Sequence, residues 1–214
     1  MKKAVIFDLD GTLLNTLDSI AYCGNLALSH FGMKQLPTDV FPEFVGQGAK
    51  VLIERIFKYV NGDPSIFTQF YEYYIDIYNK NGLHGIKPYS GIRELIDILI
   101  ERNIKIAVLS NKPHLIVVNA CDAFFKDKFD LVYGQRENIP TKPDPYMVYK
   151  IADKFSITAD QCIYCGDSDI DIKTGKNSGA LALGASWGFY GDSKFSDADG
   201  ILTTPSDLLK YIDT

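Results

Sequence analysis

Two carboxylates separated by one residue follow a short apolar run near the start of the chain. The run, residues 3–7, is rich in branched and aromatic side chains and predicts a buried strand. It is followed by Asp8 and Asp10, and then by Gly11 and Thr12. Because open α/β sheets bind ligands at the carboxyl ends of their strands, this loop predicts a functional site. Its residue types indicate phosphoryl transfer through an aspartyl phosphate.

The two acids suit different steps of that reaction. A carboxylate in line with a phosphorus atom can form an acyl phosphate, which makes Asp8 the candidate nucleophile. Asp10 suits a general acid that protonates the leaving alkoxide and then a general base that activates water. Thr12 offers a hydroxyl that can hold the loop or the departing group. The alternative is a simple helix cap, because Asp-Gly turns are common after strands.

Two later segments carry groups that can bind a phosphoryl group. Ser110 and Asn111 come at the end of another predicted strand, residues 104–109, where a hydroxyl and the following backbone N–H groups can cradle a phosphate. The same two residues can instead cap the next helix. Lys142 precedes Pro143, which favours an extended backbone and can aim the lysine into a cleft. An ordinary surface lysine is the alternative for Lys142.

A group of acids follows the predicted strand at residues 162–165. Hard oxygen ligands near a phosphate favour Mg²⁺, which keeps several waters and binds few protein carboxylates. We expect Asp167 to bind the metal directly. Asp169 is expected to cap the next helix and interact with its dipole. Ser168 and Asp171 are expected to support the metal ligands without binding the metal.

The elements that position these residues follow from hydrophobic periodicity. A helical pattern extends from about residue 16 to about residue 79, and strands alternate with helices after residue 92. This alternation predicts an α/β fold with a doubly wound, Rossmann-like, mostly parallel sheet and an inserted α-helical domain. We expect the sheet domain to comprise residues 1–14 and 86–214, and the helical insertion residues 15–85.

Composition limits the possible partners. The chain has 214 residues, 46% of them hydrophobic, and a net charge of -5, which argues against nucleic acid and anionic membranes as partners. No apolar run is long enough to span a bilayer, and the first residues do not resemble a signal peptide. Four scattered cysteines favour a reducing cytoplasm over a disulfide framework. Cys162 and Cys165 are interpreted as packed thiols on a strand rather than a redox or zinc pair.

Together these segments resemble the haloacid dehalogenase-like hydrolase superfamily, in the branch with a helical cap inserted after the first motif. The resemblance spans essentially the whole chain, because four motifs occur in order: Asp8-Leu9-Asp10-Gly11-Thr12, Ser110-Asn111, Lys142-Pro143, and Gly166-Asp167 with Asp171.

The resemblance implies a role for each motif. Asp8 would be the nucleophile, and Asp10 the acid/base whose backbone carbonyl also binds Mg²⁺. Ser110 and Lys142 would bind the phosphate, with Lys142 counted among the catalytic residues, and Asp8 and Asp167 would supply the carboxylate ligands of the metal. The presence of Asp10 argues against dehalogenase and phosphonoacetaldehyde hydrolase activity and favours phosphate-ester hydrolysis. Asn15-Thr16 departs from the Asp-Ser that relatives commonly carry there, so a role for this pair in substrate or cap contacts is not carried over.

The cap is expected to select the substrate. Gly46 and Gly48 let backbone approach a ligand closely, and we expect Gln47 and Lys50 in this loop to bind substrate. Lys50 can meet a substrate carboxylate, although a solvated helix lysine is equally compatible with its position. The stretch through Arg55 resembles the same region of phosphoglycolate phosphatases, which implies a small two-carbon substrate.

The expected function is therefore Mg²⁺-dependent hydrolysis of a small phosphate ester, such as 2-phosphoglycolate, through phospho-Asp8. The alternatives within the superfamily are a sugar-phosphate phosphatase or phosphomutase, a pyrophosphatase and a nucleotidase. A different class is a non-catalytic switch module that holds phosphate on Asp8. The expected partner is a small-molecule phosphate ester, and the sequence does not predict the oligomeric state.

Overall fold

The apolar run near the start of the chain forms the central strand of a parallel sheet. All four of its residues, Ala4–Phe7, are fully buried, which explains why the strand is continuously apolar. The structure is a computed structural model that describes residues 1–213, and it divides into two compact units. One unit comprises residues 1–15 and the chain from Lys87 onward, and the other comprises Thr16–Ile86.

The first unit contains a sheet of six strands, in which all neighbouring strands run parallel. In chain order, its strands and the two-residue antiparallel strands β2 and β3 are β1 (Ala4–Phe7), β2 (Leu14–Asn15), β3 (Lys87–Pro88), β4 (Lys105–Pro113), β5 (Leu131–Gln135), β6 (Cys162–Gly166), β7 (Leu181–Ala185) and β8 (Gly200–Leu202). The order across the large sheet is β5-β4-β1-β6-β7-β8. The predicted α/β fold with a mostly parallel sheet is confirmed.

Helices connect the strands of this unit. In the core, Val148 and Ile151 pack with Ile6 and Tyr164 of the sheet. The helices are α4 (Ile92–Glu101), α5 (His114–Phe125), α6 (Tyr146–Lys154) and α7 (Asp169–Ser178), and a 3-10 helix spans Pro205–Tyr211. These helices begin and end within about two residues of the sequence-based expectation.

Strand β4 is longer than expected. The sequence pattern predicts its end at Leu109, but the strand continues to Pro113, with a register shift against β5 between Leu109 and Pro113. Ser110, Asn111 and Lys112 therefore belong to the last part of the strand and are not caps of α5, whose first flanking residue is Pro113.

The second unit is helical. Its helices are α1 (Leu17–His30), α2 (Ala49–Val60) and α3 (Phe67–Asn81), with 3-10 helices at Thr38–Glu43 and Pro64–Ile66. The expected third helix thus starts with a 3-10 turn, and the 3-10 helix at Thr38–Glu43 has no counterpart in the sequence-based prediction. Tyr74 and Tyr78 of α3 are buried, and Phe67 lies 5.4 Å from Phe57 between ring centroids, so this aromatic stripe is core packing.

Two further expectations concern the thiols and the membrane. All four cysteines are free and buried, and burial raises the pKa of the Cys162 thiol to about 11, as expected for packed thiols.

Among residues 1–213, no helix combines the length and apolar character that a bilayer crossing requires. The cytoplasmic location stays a prediction.

Candidate active site

The loop after β1 brings Asp8 to the edge of the sheet. The Asp8 backbone N–H donates to the Cys165 carbonyl at 2.9 Å, so the hydrogen bonds between β1 and β6 continue one residue past β1. Asp8 is 6% exposed. The chain then turns at Gly11, whose φ of +83° favours glycine. The Leu9 carbonyl accepts the N–H groups of residues 12–14, which closes the loop on itself.

Asp167 lies directly against this loop. A Cβ on Gly11 would stand 2.0 Å from Asp167 Oδ2, and one on Gly188 would stand 2.3 Å from Asp167 Cβ. The Phe189 N–H donates to Asp167 Oδ2 at 2.8 Å and helps to fix the carboxylate. Glycine at both positions therefore permits the close approach of Asp167, which is 2% exposed.

Lys142 joins two of the buried acids. Its Nζ donates to Asp8 Oδ1 at 2.6 Å and to Asp171 Oδ1 at 2.7 Å. Burial alone would lower the pKa of the Lys142 ammonium, but Asp171 and Asp8 raise it well above its ordinary value, so the lysine is charged. The structure thus places Lys142 as the counter-charge of the predicted nucleophile.

Asn111 holds the backbone of Lys142. Its Oδ1 accepts the Lys142 N–H at 2.9 Å, and its Nδ2 donates to the Lys142 carbonyl at 3.2 Å. Both ends of the Asn111 amide are thus bonded to the Lys142 backbone and help to position it. Substrate binding by Asn111 stays a prediction.

Ser168 and Asp171 form a reciprocal cap at the start of α7. Asp171 Oδ2 accepts from Ser168 Oγ at 2.5 Å and from the Ser168 N–H at 3.1 Å. The expectation that Asp169 caps this helix is wrong, because Ser168 occupies the cap position and Asp169 is the first helical residue. Its exposed carboxylate accepts from Lys173 at 2.9 Å and remains in the first turn, where it can interact with the helix dipole.

Three carboxylates meet at the sheet edge with an excess of negative charge. Oxygens of Asp8, Asp167 and Asp171 all lie within 4.8 Å of one another. Burial raises the pKa of Asp8 to about 7, with Lys142 opposing the shift and Asp171 and Asp10 adding to it. Burial, followed by Asp171 and Asp8, also raises the pKa of Asp167 well above its ordinary value. One ammonium among three buried carboxylates leaves a charge that a divalent cation would balance, so the donor set fits a metal site.

This charge cluster predicts an unusual pH dependence of stability. The folded-state pKa of Asp8 is about 7 and its unperturbed value is 3.8, so the folded metal-free protein binds more protons between these values than the unfolded chain. The Asp8 contribution to the free energy of unfolding is therefore present below about pH 4 and is lost as pH rises toward about 7. We expect the wild type to lose more stability than Asp8→Asn across this range in urea titrations with EDTA.

Millimolar Mg²⁺ is expected to reduce this difference, because a ligand that binds only the folded state stabilises it. Equal pH slopes for the wild type and Asp8→Asn in EDTA would contradict the prediction.

Thr12 and Ser110 present hydroxyls at the same edge. Thr12 is fully buried, its carbonyl accepts from Trp187 Nε1 at 2.9 Å, and its Oγ1 has no hydrogen-bond partner among residues 1–213. A buried hydroxyl without a partner costs about 1–3 kcal/mol, which a ligand oxygen would recover. Ser110 Oγ accepts the Lys112 N–H at 3.2 Å, and its hydroxyl hydrogen can still donate to a ligand.

Lys112 is a site residue that the sequence analysis missed. Its Nζ donates to Asp10 Oδ1 at 2.6 Å, and the residue is 8% exposed. The available signal was its position two residues after Ser110, because alternate residues of a strand point to the same side. A strand predicted to end at Leu109 does not include Lys112.

The two predicted cap residues belong to the second unit. Both Gln47 and Lys50 are exposed, and Lys50 lies in the first turn of α2. Arg55 Nη2 donates to Gln47 Oε1 at 2.7 Å, while Arg55 Nη1 donates to the carbonyls of residues 43–45 at 3.1–3.4 Å. Arg55 therefore holds the loop that contains Gly46, Gln47 and Gly48. Substrate contacts of Gln47 and Lys50 stay predictions.

Known proteins share both the sequence pattern and the fold. Residues 5–185 match the family described as haloacid dehalogenase-like hydrolase. The phosphoglycolate phosphatase of Aquifex aeolicus is 29% identical over 216 residues, covering 99% of this chain and 97% of its own. The phosphoglycolate phosphatase of Mannheimia succiniciproducens is 30% identical and covers 98% of both chains.

A crystal structure of a predicted phosphoglycolate phosphatase from Haemophilus somnus matches with a TM-score of 0.91 at 28% identity, covering 98% of this chain and 97% of that one. The match to the family extends over most of the chain and includes Asp8, Ser110, Lys142 and Asp167. The chain therefore belongs to the haloacid dehalogenase-like hydrolases, and it is a phosphatase that resembles the phosphoglycolate phosphatases.

Proposed function

We propose that the protein is a Mg²⁺-dependent phosphomonoesterase that acts through a phosphoaspartyl intermediate on Asp8. The observation that carries this proposal is the contact of the buried Asp8 carboxylate with the Lys142 ammonium at 2.6 Å. A carboxylate nucleophile needs a nearby cation to approach a phosphate dianion, and the Lys142 ammonium lies beside the Asp8 carboxylate.

In the first step, an Asp8 oxygen forms a bond to phosphorus as the bond to the leaving oxygen breaks. Lys142, Ser110 and Thr12 supply a charge and two hydroxyls to the phosphoryl oxygens. Asp10 gives its proton to the leaving oxygen, so the product departs as an alcohol.

In the second step, the Asp10 carboxylate takes a proton from water as the water oxygen attacks the phosphorus of phospho-Asp8. The bond between phosphorus and the Asp8 oxygen breaks, inorganic phosphate leaves, and Asp8 returns as a carboxylate. Asp8 therefore acts as the nucleophile and Asp10 as the proton carrier, and both side chains return to their starting states at the end of the cycle.

The metal would be held by the carboxylates of Asp8 and Asp167 and by the backbone carbonyl of Asp10. When bound, Mg²⁺ supplies positive charge that stabilises the transferring phosphoryl group. Asp171 is assigned a supporting role because Lys142 binds one of its oxygens and Ser168 binds the other. The buried Thr12 hydroxyl, which has no hydrogen-bond partner among residues 1–213, is assigned to a phosphoryl oxygen.

For the substrate, we propose a small phosphorylated metabolite such as 2-phosphoglycolate, with Gln47 and Lys50 as contacts. Two relatives named phosphoglycolate phosphatase support this choice, as does the solved structure of a predicted phosphoglycolate phosphatase. Lys50 carries an exposed positive charge at the start of α2, which suits a carboxylate.

A substrate panel tests this proposal. With Mg²⁺ present, we expect 2-phosphoglycolate to give a kcat/KM at least about tenfold above those of sugar phosphates, nucleoside monophosphates and pyrophosphate, a difference of about 1.4 kcal/mol. EDTA is expected to abolish turnover. Lys50→Met should raise KM for 2-phosphoglycolate but not for ethyl phosphate, which has no carboxylate.

Lys58→Met is the matched control, because Lys58 is an exposed lysine on the same helix. Preference for another ester would overturn the substrate assignment, and turnover that survives EDTA would overturn the metal requirement. Absence of turnover on every ester in the panel would overturn the proposed reaction itself.

A further inference from the structure

A second lysine is buried in the site, and it pairs with the proton carrier rather than with the nucleophile. Lys112 Nζ lies 2.6 Å from Asp10 Oδ1, with side-chain exposures of 7% for Lys112 and 13% for Asp10. Exposed ion pairs contribute little and form in many geometries, but burial of a lysine requires a fixed counter-charge. The buried ion pair between Lys112 and Asp10 is therefore part of the candidate active site.

We infer that Lys112 is a positioning residue that holds the Asp10 carboxyl group for proton transfer to the leaving oxygen. This inference rests on the proposed function, because it assigns Asp10 the acid step. The ammonium contact at Oδ1 restrains the rotation of the Asp10 carboxyl group. A carboxyl group on a loop side chain otherwise has two rotatable bonds, and a misplacement of about 1 Å can cost about 10²-fold in rate.

The backbone around Lys112 links this function to phosphate binding. The Lys112 N–H donates to Ser110 Oγ at 3.2 Å, so the hydroxyl proposed to bind the phosphoryl group and the lysine that holds Asp10 are fixed to each other. Asn111, between them, binds the backbone of Lys142. Three consecutive residues of β4 thus set the positions of the phosphoryl group, the acid and the cation beside Asp8.

The chemistry of the leaving group separates this function from a structural one. When the bond between phosphorus and the leaving oxygen breaks, the electron pair goes to that oxygen. An alkoxide needs the Asp10 proton at this moment, whereas p-nitrophenolate is stable without it. A change that misplaces Asp10 should therefore slow alkyl phosphates much more than p-nitrophenyl phosphate, while general damage to the site slows both equally.

The experiment compares kcat/KM for ethyl phosphate, 2-phosphoglycolate and p-nitrophenyl phosphate with Mg²⁺ present. kcat/KM reports on steps up to formation of phospho-Asp8, which isolates the acid step. We expect Lys112→Met to lose about 10²-fold on both alkyl esters and less than about tenfold on p-nitrophenyl phosphate. Lys112→Arg, which keeps the charge, should recover part of the alkyl activity.

A double-mutant cycle tests whether Lys112 acts through Asp10. Asp10→Asn should show the same dependence on the leaving group, and adding Lys112→Met to it should cause no further loss on the alkyl esters. Lys105→Met is the matched control, since Lys105 lies on the same strand in an ion pair of the same length, 2.6 Å to Asp130, but is exposed. Lys105→Met should leave kcat/KM for all three esters unchanged.

Equal losses on all three esters, or additive losses in the double variant, would overturn the inference. So would a loss confined to 2-phosphoglycolate, because Lys112 would then bind the substrate carboxylate. If Lys112→Met does not fold, Lys112→Arg must still discriminate between alkyl and p-nitrophenyl esters. Failure of the proposed function looks different: the wild type would not turn over any ester, or Asp8→Asn would remain active.

Discussion

Replacement of Asp8 by asparagine is expected to lower kcat by about 10⁴-fold or more, with the fold intact. The amide cannot form the acyl phosphate, so the two-step route is closed. Lys142 keeps its contact with Asp171 at 2.7 Å, and the variant loses a carboxylate whose pKa burial has raised to about 7. Above pH 7 the metal-free variant should therefore have a free energy of unfolding no lower than that of the wild type.

Two measurements test this prediction. The rate of phosphate release gives kcat, and acid quench during turnover traps the acyl phosphate on the enzyme. The wild type should yield one acyl phosphate at most per chain, labile to hydroxylamine, and Asp8→Asn should yield none. Asp97→Asn serves as the control, because Asp97 is exposed and pairs with Lys128 at 2.8 Å on the surface of the same unit. Retention of a tenth of the activity by Asp8→Asn would exclude Asp8 as the nucleophile.

The parts of the molecule that were predictable have local causes. The strand Ala4–Phe7 is apolar throughout because both of its faces are covered, and Asp8 follows it directly. Asp167 likewise follows the buried strand β6. A polar side chain at the end of an apolar strand marks the carboxyl edge of a parallel sheet, so the sequence predicts the α/β fold and suggests where these acids lie.

The parts that were missed depend on contacts distant in sequence. Ser110 and Lys112 extend β4 beyond its apolar residues, and a strand that ends in polar side chains resembles a loop. The buried Lys112 finds a counter-charge in Asp10, 102 residues away in the sequence. The Phe189 N–H that fixes Asp167 comes from a loop without regular structure, and backbone donors leave no trace in side-chain patterns.

The 3-10 helix at Thr38–Glu43 was missed for a related reason. It contains Pro42, which argues against an α-helix, and only Phe41 among its residues is buried. A periodic apolar face, on which the prediction of helices rests, is therefore absent. Long periodic helices such as α1 and α2 were predictable because their buried faces repeat over several turns.

Removal of the Lys142 charge is expected to damage both activity and stability. In Lys142→Met, the carboxylates of Asp8 and Asp171 lose an ammonium that lies 2.6 Å and 2.7 Å away and is 4% exposed. Breaking a buried pair by removing one partner costs about 3 to 5 kcal/mol. Loss of the cation beside the transferring phosphoryl group should lower kcat by about 10³-fold.

The stability loss has a defined sign with pH. Lys142 lowers the pKa of Asp8 against the effect of burial, so its removal raises that pKa above about 7. The destabilisation of Lys142→Met relative to the wild type should therefore be larger at pH 8 than at pH 5, where a protonated Asp8 needs no counter-charge. Urea titrations in EDTA at the two pH values measure the difference.

A second substitution separates charge repulsion from loss of packing. In Lys142→Met with Asp171→Asn, one of the two uncompensated carboxylates is gone, so part of the stability should return while kcat stays as low as in Lys142→Met. Lys173→Met, which breaks an exposed ion pair with Asp169 on the same helix, should change neither quantity appreciably. If Asp171→Asn restored no stability, the defect of Lys142→Met would lie in packing, and the buried charges of Asp8 and Asp171 would not be its cause.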